Sequence, residues 1–234
     1  CFADDSPVVR HQTLHVVTRL IVEDYLKMRP LLFFKYVFAI TDQDDATASF
    51  AKCCLFNVLL KKSHDLLTSH FIDTIYYFSR EVKIPGIFES PEENDLFQIK
   101  EKERRQKGLH LIISKMDEIS AFQMIQLICN NLLNRYVKEE FNIYKHRNIL
   151  DDAIFSLIEL EDKMKQVMES EILNEDSVTE KVVEAGKKMI NDIHNNMIQN
   201  VLPILNCMLH ILRDLHSPLQ SQLKQFYQRI CIKN

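Results

Sequence analysis

The sequence predicts an all-α protein built from paired helices. The chain of 234 residues contains only 3 glycines and 6 prolines, too few for the closely spaced turns of a β-sandwich or barrel. Apolar residues recur at spacings of three and four along most of the chain, which is the pattern of amphipathic helices. A hydrophobic share of 46% beside 26% charged residues is typical of a densely packed helical protein.

Residues 1–82 are predicted to form about two helix pairs. The first helix begins at Asp4-Asp5-Ser6-Pro7, because an Asp or Ser cap followed by proline is a typical helix start. It breaks at Met28-Arg29-Pro30, and a polar turn at 42–45 separates the second helix from the third. The predicted inward positions of these helices are Val9, Thr13, Leu14, Val16, Val17, Leu20, Ile21, Leu31, Phe34, Val37, Phe38, Ala48, Phe50, Ala51, Cys54, Leu55, Val58, Leu59, Phe71, Ile75 and Phe78.

Residues 83–99 are predicted to be an acidic loop insertion. Pro85, Gly86 and Pro91 interrupt the helical rhythm, and four acidic residues accompany them. Ile87 and Phe88 within the loop are expected either to pack onto the body of the protein or to stay exposed as a docking point for a partner.

Residues 100–234 are predicted to continue with further helix pairs. A polar capping region at 174–179 precedes a long C-terminal helix, which Pro203 should bend, and a final helix begins at Ser217-Pro218. Acidic residues of the 148–168 helix are expected to form a solvated face, namely Asp151, Asp152, Glu159 and Glu161. The predicted core positions are Leu109, Ile112, Ile113, Phe122, Ile125, Cys129, Leu132, Tyr136, Leu150, Ile154, Leu157, Ile158, Leu219, Leu223, Phe226, Tyr227 and Ile230.

The charge pattern limits any nucleic-acid contact to a local patch, because the formal net charge of the chain is −4. The first candidate patch lies near a predicted helix N-terminus, where backbone N–H groups favour phosphate, and comprises Lys100, Lys102, Arg104, Arg105 and Lys107. Glu101 and Glu103 are interleaved with it, so a solvated helix face is the alternative. The second candidate set is Lys61 and Lys62 with Lys52, Arg19 and Lys27 or Lys35. It would line one edge of the molecule, or it is a scatter of surface cations.

Motifs for catalysis and cofactor binding are missing from the sequence. It has no pair of glycines near enough to cradle phosphate, no His-Glu-x-x-His helix and no nucleophile elbow, so we expect neither an enzyme nor a cofactor. Cys207 and His210 have no second ligand pair at metal-site spacing, so no metal is expected.

The six cysteines are expected to be small buried hydrophobes in a reducing compartment. No signal peptide and no run of the roughly 20 apolar residues needed to cross a membrane is found, and the chain reads as an internal piece of a larger protein.

Specific residue runs resemble a known family. The run Asp5-Ser6-Pro7-Val8-Val9-Arg10 resembles the HEAT-repeat signature, in which the Asp caps a helix and an Arg pairs with an Asp of the same or the adjacent repeat. The chain is further similar to the C-terminal HEAT region of the D-type subunit of condensin II, and the runs that carry this similarity are 9–14, 20–27, 31–37, 48–50, 54–55, 59–62, 102–105 and 200–205.

This resemblance implies a HEAT-repeat α-solenoid, as a fragment of a longer superhelix. It further implies an architectural role in mitotic chromosome condensation in the nucleus. The implied partners are the kleisin subunit, the SMC ATPase pair and double-stranded DNA or chromatin, with no membrane involved. A solenoid would leave the apolar stripe from Val8 to Leu20 uncovered, unless another repeat packs on it.

Other interpretations of the sequence stay open. The helices alone would also suit a compact bundle. In function, the alternative is a generic HEAT or armadillo adaptor, such as a nuclear transport receptor. A secreted four-helix cytokine fits the chain length, the helix count and the cysteine placement less well.

Overall fold

The computed structural model describes residues 1–84, 96–171, 195 and 197–232. Every regular element in these residues is helical, so the all-α prediction is confirmed. The chain forms two compact units, residues 1–115 and 116–234. The predicted limits at residues 82 and 99 stay predictions. Most of the acidic insertion, including Ile87 and Phe88, and the capping region at 174–179 lie outside the described residues.

The described helices of each unit follow one another in chain order. The first unit contains α1 (Pro7–Val22), α2 (Pro30–Ile40), α3 (Asp45–Lys52), the π-helix π1 (Cys53–Leu59), α4 (Leu60–Lys62), α5 (Leu66–Ser79) and α6 (Lys102–Ile113). The second unit contains α7 (Glu118–Leu127), π2 (Ile128–Leu133), α8 (Asn134–Val137), α9 (Arg147–Glu171), π3 (Met197–Val201), α10 (Leu202–Asp214) and α11 (Leu219–Ile232).

The centre of the first unit is α2, which is apolar around nearly its whole circumference, as a fully enclosed helix must be. It packs against α3, α5 and α6. Phe34 stacks on Tyr77 of α5 with the ring centroids 4.4 Å apart. On the α6 side, Gly108 lies so near that an added Cβ would touch side-chain atoms of Val37 and Thr41 at 3.4 Å. These contacts place α2 at the core of the unit.

The helical runs 45–62 and 118–137 share one local design. Each is preceded by an aspartate N-cap, and the side chain of Asp44 accepts a hydrogen bond at 2.8 Å from the backbone N–H three residues further on. The corresponding bond of Asp117 is 2.7 Å long. Each run then continues through a π-helix before its last α-helical turn. One helix design therefore recurs in the two units, as expected of a repeat protein.

Helices end at residues with a left-handed backbone that are not glycines. The φ angles are 63° at Asp24, 58° at Arg80, 60° at Glu139 and 49° at His216. After α1, the N–H of the following residue, Tyr25, donates to the carbonyl of Leu20 at 2.9 Å, which closes the helix end. As a result α1 ends at Val22, before the break predicted at 28–30.

The predicted core positions are buried in most helices, and the exceptions are informative. Leu14 and Ile21 of α1 are buried, but Val9, Val16 and Leu20 are 38%, 51% and 37% exposed, so one face of α1 is uncovered within the first unit. The long helix that Pro203 is predicted to bend lies largely outside the described residues, so the bend stays a prediction. Within them, π3 directly precedes α10, and Pro203 lies in the first turn of α10.

The prediction that the cysteines are buried is confirmed for only some of them. Cys54 and Cys129 are buried, but Cys1, Cys53 and Cys207 are exposed, so the expectation of burial is wrong for these three. Burial raises the pKa of the Cys54 thiol, which keeps this side chain protonated. Within the described residues, no helix is both long and apolar enough to cross a membrane.

Candidate nucleic-acid interface

Arg10 connects α1 to the turn between α2 and α3. Its Nε donates to Oδ2 of Asp42 and its Nη2 to Oδ1, both at 2.8 Å. The two side chains are only 13% and 6% exposed. Nη1 of the same guanidinium donates to the carbonyl oxygens of Asp4 at 2.7 Å and Asp5 at 3.1 Å. The signature at residues 5–10 predicts such a pair between its arginine and an aspartate of the same or the adjacent repeat. Its predicted Asp cap is not found, because the N-cap of α1 is Ser6, whose side chain makes no capping hydrogen bond.

Arg104 contacts the same turn from α6. Its Nε donates to the carbonyl oxygen of Thr41 at 3.1 Å and to the hydroxyl of Thr41 at 3.2 Å. Its guanidinium carbon also lies 4.5 Å from the centroid of the Phe38 ring. Burial lowers the pKa of Arg104, which nevertheless stays charged at neutral pH. The turn at 41–44 is therefore bound by one arginine from each neighbouring helix, α1 and α6.

Arg105 is buried rather than directed at solvent. Its side chain is 4% exposed and donates from Nη1 to the carbonyl oxygen of Lys100 at 3.0 Å and to that of Ile99 at 3.5 Å. Lys100 and Lys107 are exposed, and Lys102 is half-buried. The five predicted cations of this patch thus fall into two arginines with structural contacts and three lysines nearer to solvent. Their DNA contact stays a prediction.

Lys62 joins the end of α4 to the end of α1. Its Nζ donates to the carbonyl oxygens of Ile21 at 2.7 Å and Val22 at 3.0 Å. It also pairs with Oδ1 of Asp24 at 2.6 Å. A cation on the last carbonyls of a helix satisfies acceptors that have no partner inside the helix and complements the helix dipole. Lys62 therefore holds the two helix ends side by side.

An exposed aromatic and cationic surface surrounds this junction, and we call it the α1–α4 edge. Tyr25 is 78% exposed at the turn after α1. Lys27, Arg29 and Lys61 are exposed as well. The sequence-based set includes Lys27 and Lys61 but misses Tyr25 and Arg29. The signal that could have found them is an aromatic residue followed by two cations in the short stretch 25–29, which comes after a helix end.

The other members of the second predicted set lie in different surroundings. Arg19 donates from Nε to Glu23 at 2.7 Å on the exposed face of α1, and this hydrogen bond raises the pKa of Arg19. Lys35 places its ammonium 4.9 Å from the centroid of the Phe97 ring. Lys52 is half-buried. Arg19 and Lys35 each have a partner in the first unit, so Lys27 and Lys61 are the stronger candidates for binding an anion.

Three of the four acidic residues predicted to form a solvated face of α9 are buried in the second unit, and the fourth, Glu159, is half-buried, so that prediction is wrong. Asp151, Asp152 and Glu161 are 8%, 1% and 5% exposed. Oε2 of Glu161 accepts a hydrogen bond at 3.2 Å from Arg229 of α11. A buried carboxylate needs such a partner, because its desolvation is costly. No group of three or more metal-ligating side chains in the described part of the chain is arranged to hold an ion.

Comparisons with known proteins relate the chain to one family. A family model described as non-SMC mitotic condensation complex subunit 1 matches residues 1–142. The condensin-2 complex subunit D3-L of Xenopus laevis is 26% identical over 245 residues, covering 98% of this chain and 16% of the relative. Subunit D3 of Mus musculus is 25% identical over 98% of the chain and 16% of the relative. The condensin-2 subunit CAP-D3 of Arabidopsis thaliana is 22% identical over 94% of the chain and 18% of the relative. The chain thus spans less than a fifth of each of these relatives, and no solved structure matches it.

Proposed function

Because the chain belongs to the family of non-SMC mitotic condensation complex subunits, we propose that it is part of an architectural subunit of condensin II. Family membership confirms the resemblance inferred from residue runs such as 31–37. The proposed role is structural support in mitotic chromosome condensation, without catalysis, at chromosomes in the nucleus. The observation that carries it is the match of the family model to residues 1–142 together with the three D3-type relatives.

The proposed protein partners are the kleisin subunit and the SMC ATPase pair of condensin II. An all-helical protein of repeated helix runs suits this role, since such proteins offer extended surfaces to other chains. Co-expression of the full-length protein with kleisin and SMC fragments, followed by gel filtration, tests the proposal. Co-elution with the kleisin is expected. Binding of a small GTPase or of basic peptides, with no kleisin in the complex, would favour a transport adaptor instead.

The proposed DNA contact is made by exposed cations of the first unit, above all at the α1–α4 edge. Lysine and arginine side chains neutralise phosphates, and tyrosine hydroxyls donate to phosphate oxygens. Tyr25, Lys27 and Lys61 offer both kinds of group on an exposed surface. Lys100, Lys102 and Lys107 of the first predicted patch are proposed as additional phosphate contacts. Arg104, Arg105 and Lys62 act in this proposal by positioning the helices.

The salt dependence of duplex binding tests the DNA contact. In the double variant Lys27→Gln with Lys61→Gln, the slope of log affinity against log salt concentration should fall by about 2, because each lost phosphate contact removes roughly 0.9. A matched control, Lys83→Gln with Lys224→Gln, removes the same charge from exposed positions elsewhere on the chain. Equal slopes for both variants would refute a DNA contact at this edge.

A further inference from the structure

The loop 138–147, as we call it here, comprises the connection between α8 and α9 together with Arg147, the first residue of α9, and it has its own anchors. Phe141 is 8% exposed and packs edge-on against Tyr136 of α8, with the ring centroids 5.4 Å apart. The Tyr136 hydroxyl donates to the carbonyl oxygen of His146. In return, Nδ1 of His146 accepts a hydrogen bond at 3.0 Å from the backbone N–H of Asn142. These contacts fix both ends of the loop to the second unit.

The tip of this loop is held in one conformation by Asn142. Its side-chain oxygen accepts hydrogen bonds from the backbone N–H of Tyr144 at 3.0 Å and from that of Lys145 at 3.1 Å. A side chain that bonds two successive backbone N–H groups in this way stabilises a turn. The residues at the tip are therefore preorganised, which lowers the entropy lost on binding a ligand.

The fixed loop presents an aromatic ring between cations. Tyr144 is 73% exposed, although two of its neighbours in the loop, Phe141 and His146, are packed inward. Lys138, Lys145 and Arg147 are exposed around it. Glu140, one of the two acids in the loop, lies 3.7 Å from Arg135 of α8, which balances its charge locally. The exposed charged side chains of residues 138–147 are thus three cations and two acids, Glu139 and Glu140, and the cations outnumber the acids around the exposed tyrosine.

The position of the loop matches that of the α1–α4 edge. Runs 45–62 and 118–137 have the same cap and the same π-helical interruption, so the loop follows the same helix end that carries Lys61 and Lys62 in the first unit. In the first unit the exposed Tyr25 lies in the turn after α1, which Lys62 joins to this helix end, and in the second unit the exposed Tyr144 lies in the loop that follows the corresponding helix end directly.

We propose that the loop 138–147 is a second binding site for the phosphate backbone of duplex DNA, contacted by Tyr144, Lys145 and Arg147. The inference rests on the proposed DNA contact of the protein. A backbone ligand fits better than a protein partner, because the centre of a protein interface is poor in lysine and rich in apolar groups. The exposed side chains around Tyr144 are polar or charged instead, namely Lys138, Glu139, Glu140, Asn142, Lys145 and Arg147. Tyr144 donates its hydroxyl to a phosphate oxygen, while the two cations neutralise neighbouring phosphates.

The test measures duplex binding by fluorescence anisotropy over a range of salt, using the full-length protein. The variant Lys145→Gln with Arg147→Gln removes two cations without touching the anchors Tyr136, Phe141 and Asn142. The fall in affinity between about 50 and about 200 mM salt should become roughly tenfold smaller than in the wild type, because two phosphate contacts are lost. Tyr144→Phe removes only the hydroxyl and should weaken binding further in that background.

The controls separate this inference from the proposed function. The variant Lys83→Gln with Lys224→Gln removes the same charge from exposed positions elsewhere. If the loop variant binds like this control while Lys27→Gln with Lys61→Gln binds more weakly, the loop inference is overturned and the α1–α4 edge stands. If the wild-type protein does not bind duplex DNA at low salt, both are overturned. Retained helical circular dichroism in every variant shows that the comparison concerns folded protein.

Discussion

Replacing Arg10 by methionine should destabilise the first unit strongly. The change keeps an unbranched side chain but removes the guanidinium that binds Asp42 through two hydrogen bonds of 2.8 Å. It also leaves the carbonyl oxygens of Asp4 and Asp5 without this donor. The carboxylate of Asp42 keeps a hydrogen bond at 2.8 Å from the backbone N–H of Asp44.

The magnitude follows from the burial of the pair. An exposed ion pair contributes about 0–1 kcal/mol, whereas removing one partner of a buried pair costs about 3–5 kcal/mol, because the other charge stays buried. The side chains of Arg10 and Asp42 are only 13% and 6% exposed, so the pair is largely shielded from water. We therefore expect Arg10→Met to lower the free energy of unfolding by about 3 kcal/mol.

Urea unfolding followed by far-UV circular dichroism measures this loss, since the chain has no tryptophan for a fluorescence probe. A double-mutant cycle with Asp42→Leu isolates the pair, and the coupling energy should reach about 2 kcal/mol. Arg19→Met is the matched control, because it breaks an exposed pair with Glu23 and should change stability little. A coupling energy below about 0.5 kcal/mol would show that the pair behaves like a surface contact, and would refute its role in joining α1 to the 41–44 turn.

Four further substitutions test separate parts of the structure. Arg105→Met should lower the melting temperature but leave the salt slope of duplex binding unchanged, since the guanidinium is buried on backbone carbonyls. Glu139→Gly should raise the free energy of unfolding by up to about 1 kcal/mol, because glycine adopts its φ of 60° without strain. Hydrogen bonds from Thr47 lower the pKa of Asp44, so their stabilisation is complete above the unfolded-state pKa and is lost as the pH falls through the folded one. Thr47→Val should therefore lower the free energy of unfolding near neutral pH. Below about pH 4 the free energies of unfolding of the variant and the wild type should become more similar, and urea titrations near neutral pH and below pH 4 measure both. Val16→Glu should reduce the concentration-dependent self-association of this 234-residue chain in sedimentation, because the side chain lies on the uncovered face of α1.

Each of these predictions has a contrary outcome. A reduced salt slope of duplex binding for Arg105→Met would show that Arg105 contacts a DNA phosphate. If Glu139→Gly destabilises the protein, the Glu139 side chain stabilises it by more than the left-handed backbone strain at this position destabilises it. A stability loss from Thr47→Val that is independent of pH would separate it from the Asp44 carboxylate. A soluble monomer at all concentrations before any substitution would show that the apolar face of α1 needs no cover.

Sequence patterns predicted the helices with long apolar stripes correctly. In α11, Leu219, Leu223, Phe226 and Ile230 recur at spacings of three and four, and all four are buried. A helix with such a stripe has one way to bury it, so the inward face can be derived from local spacing alone. The same reasoning predicted the face of 118–137, where a run of apolar residues continues through π2.

Buried charges could not be predicted from local spacing. Arg105 stands among other charged residues and Asp152 follows another aspartate, patterns typical of solvated helix faces, yet both are buried. What decides their burial is a partner supplied by tertiary structure. Arg104, for example, binds Thr41, which lies 63 positions earlier in the chain. Such pairs become visible only when the helices have been packed.

The ends of the helices could not be predicted from the sequence patterns either. Glycine is the usual residue at a left-handed helix end, but this chain contains only 3 glycines and uses Asp24, Glu139 and His216 at three such ends. The end of α1 at Val22 was therefore missed, and with it the exposed Tyr25 that follows. The candidate site was accordingly predicted only in part, as the lysines without the aromatic residue.

The most direct test of the proposed DNA contact is site-specific photocrosslinking in the complex of the full-length protein with kleisin and SMC subunits. A photoreactive amino acid replaces Tyr25 in one protein and the exposed Gln222 of α11 in a control. The account predicts that duplex DNA becomes attached at position 25 well above the level at position 222, and that high salt abolishes the attachment. Equal attachment at the two positions, or none at position 25 in a complex that binds DNA, would contradict it.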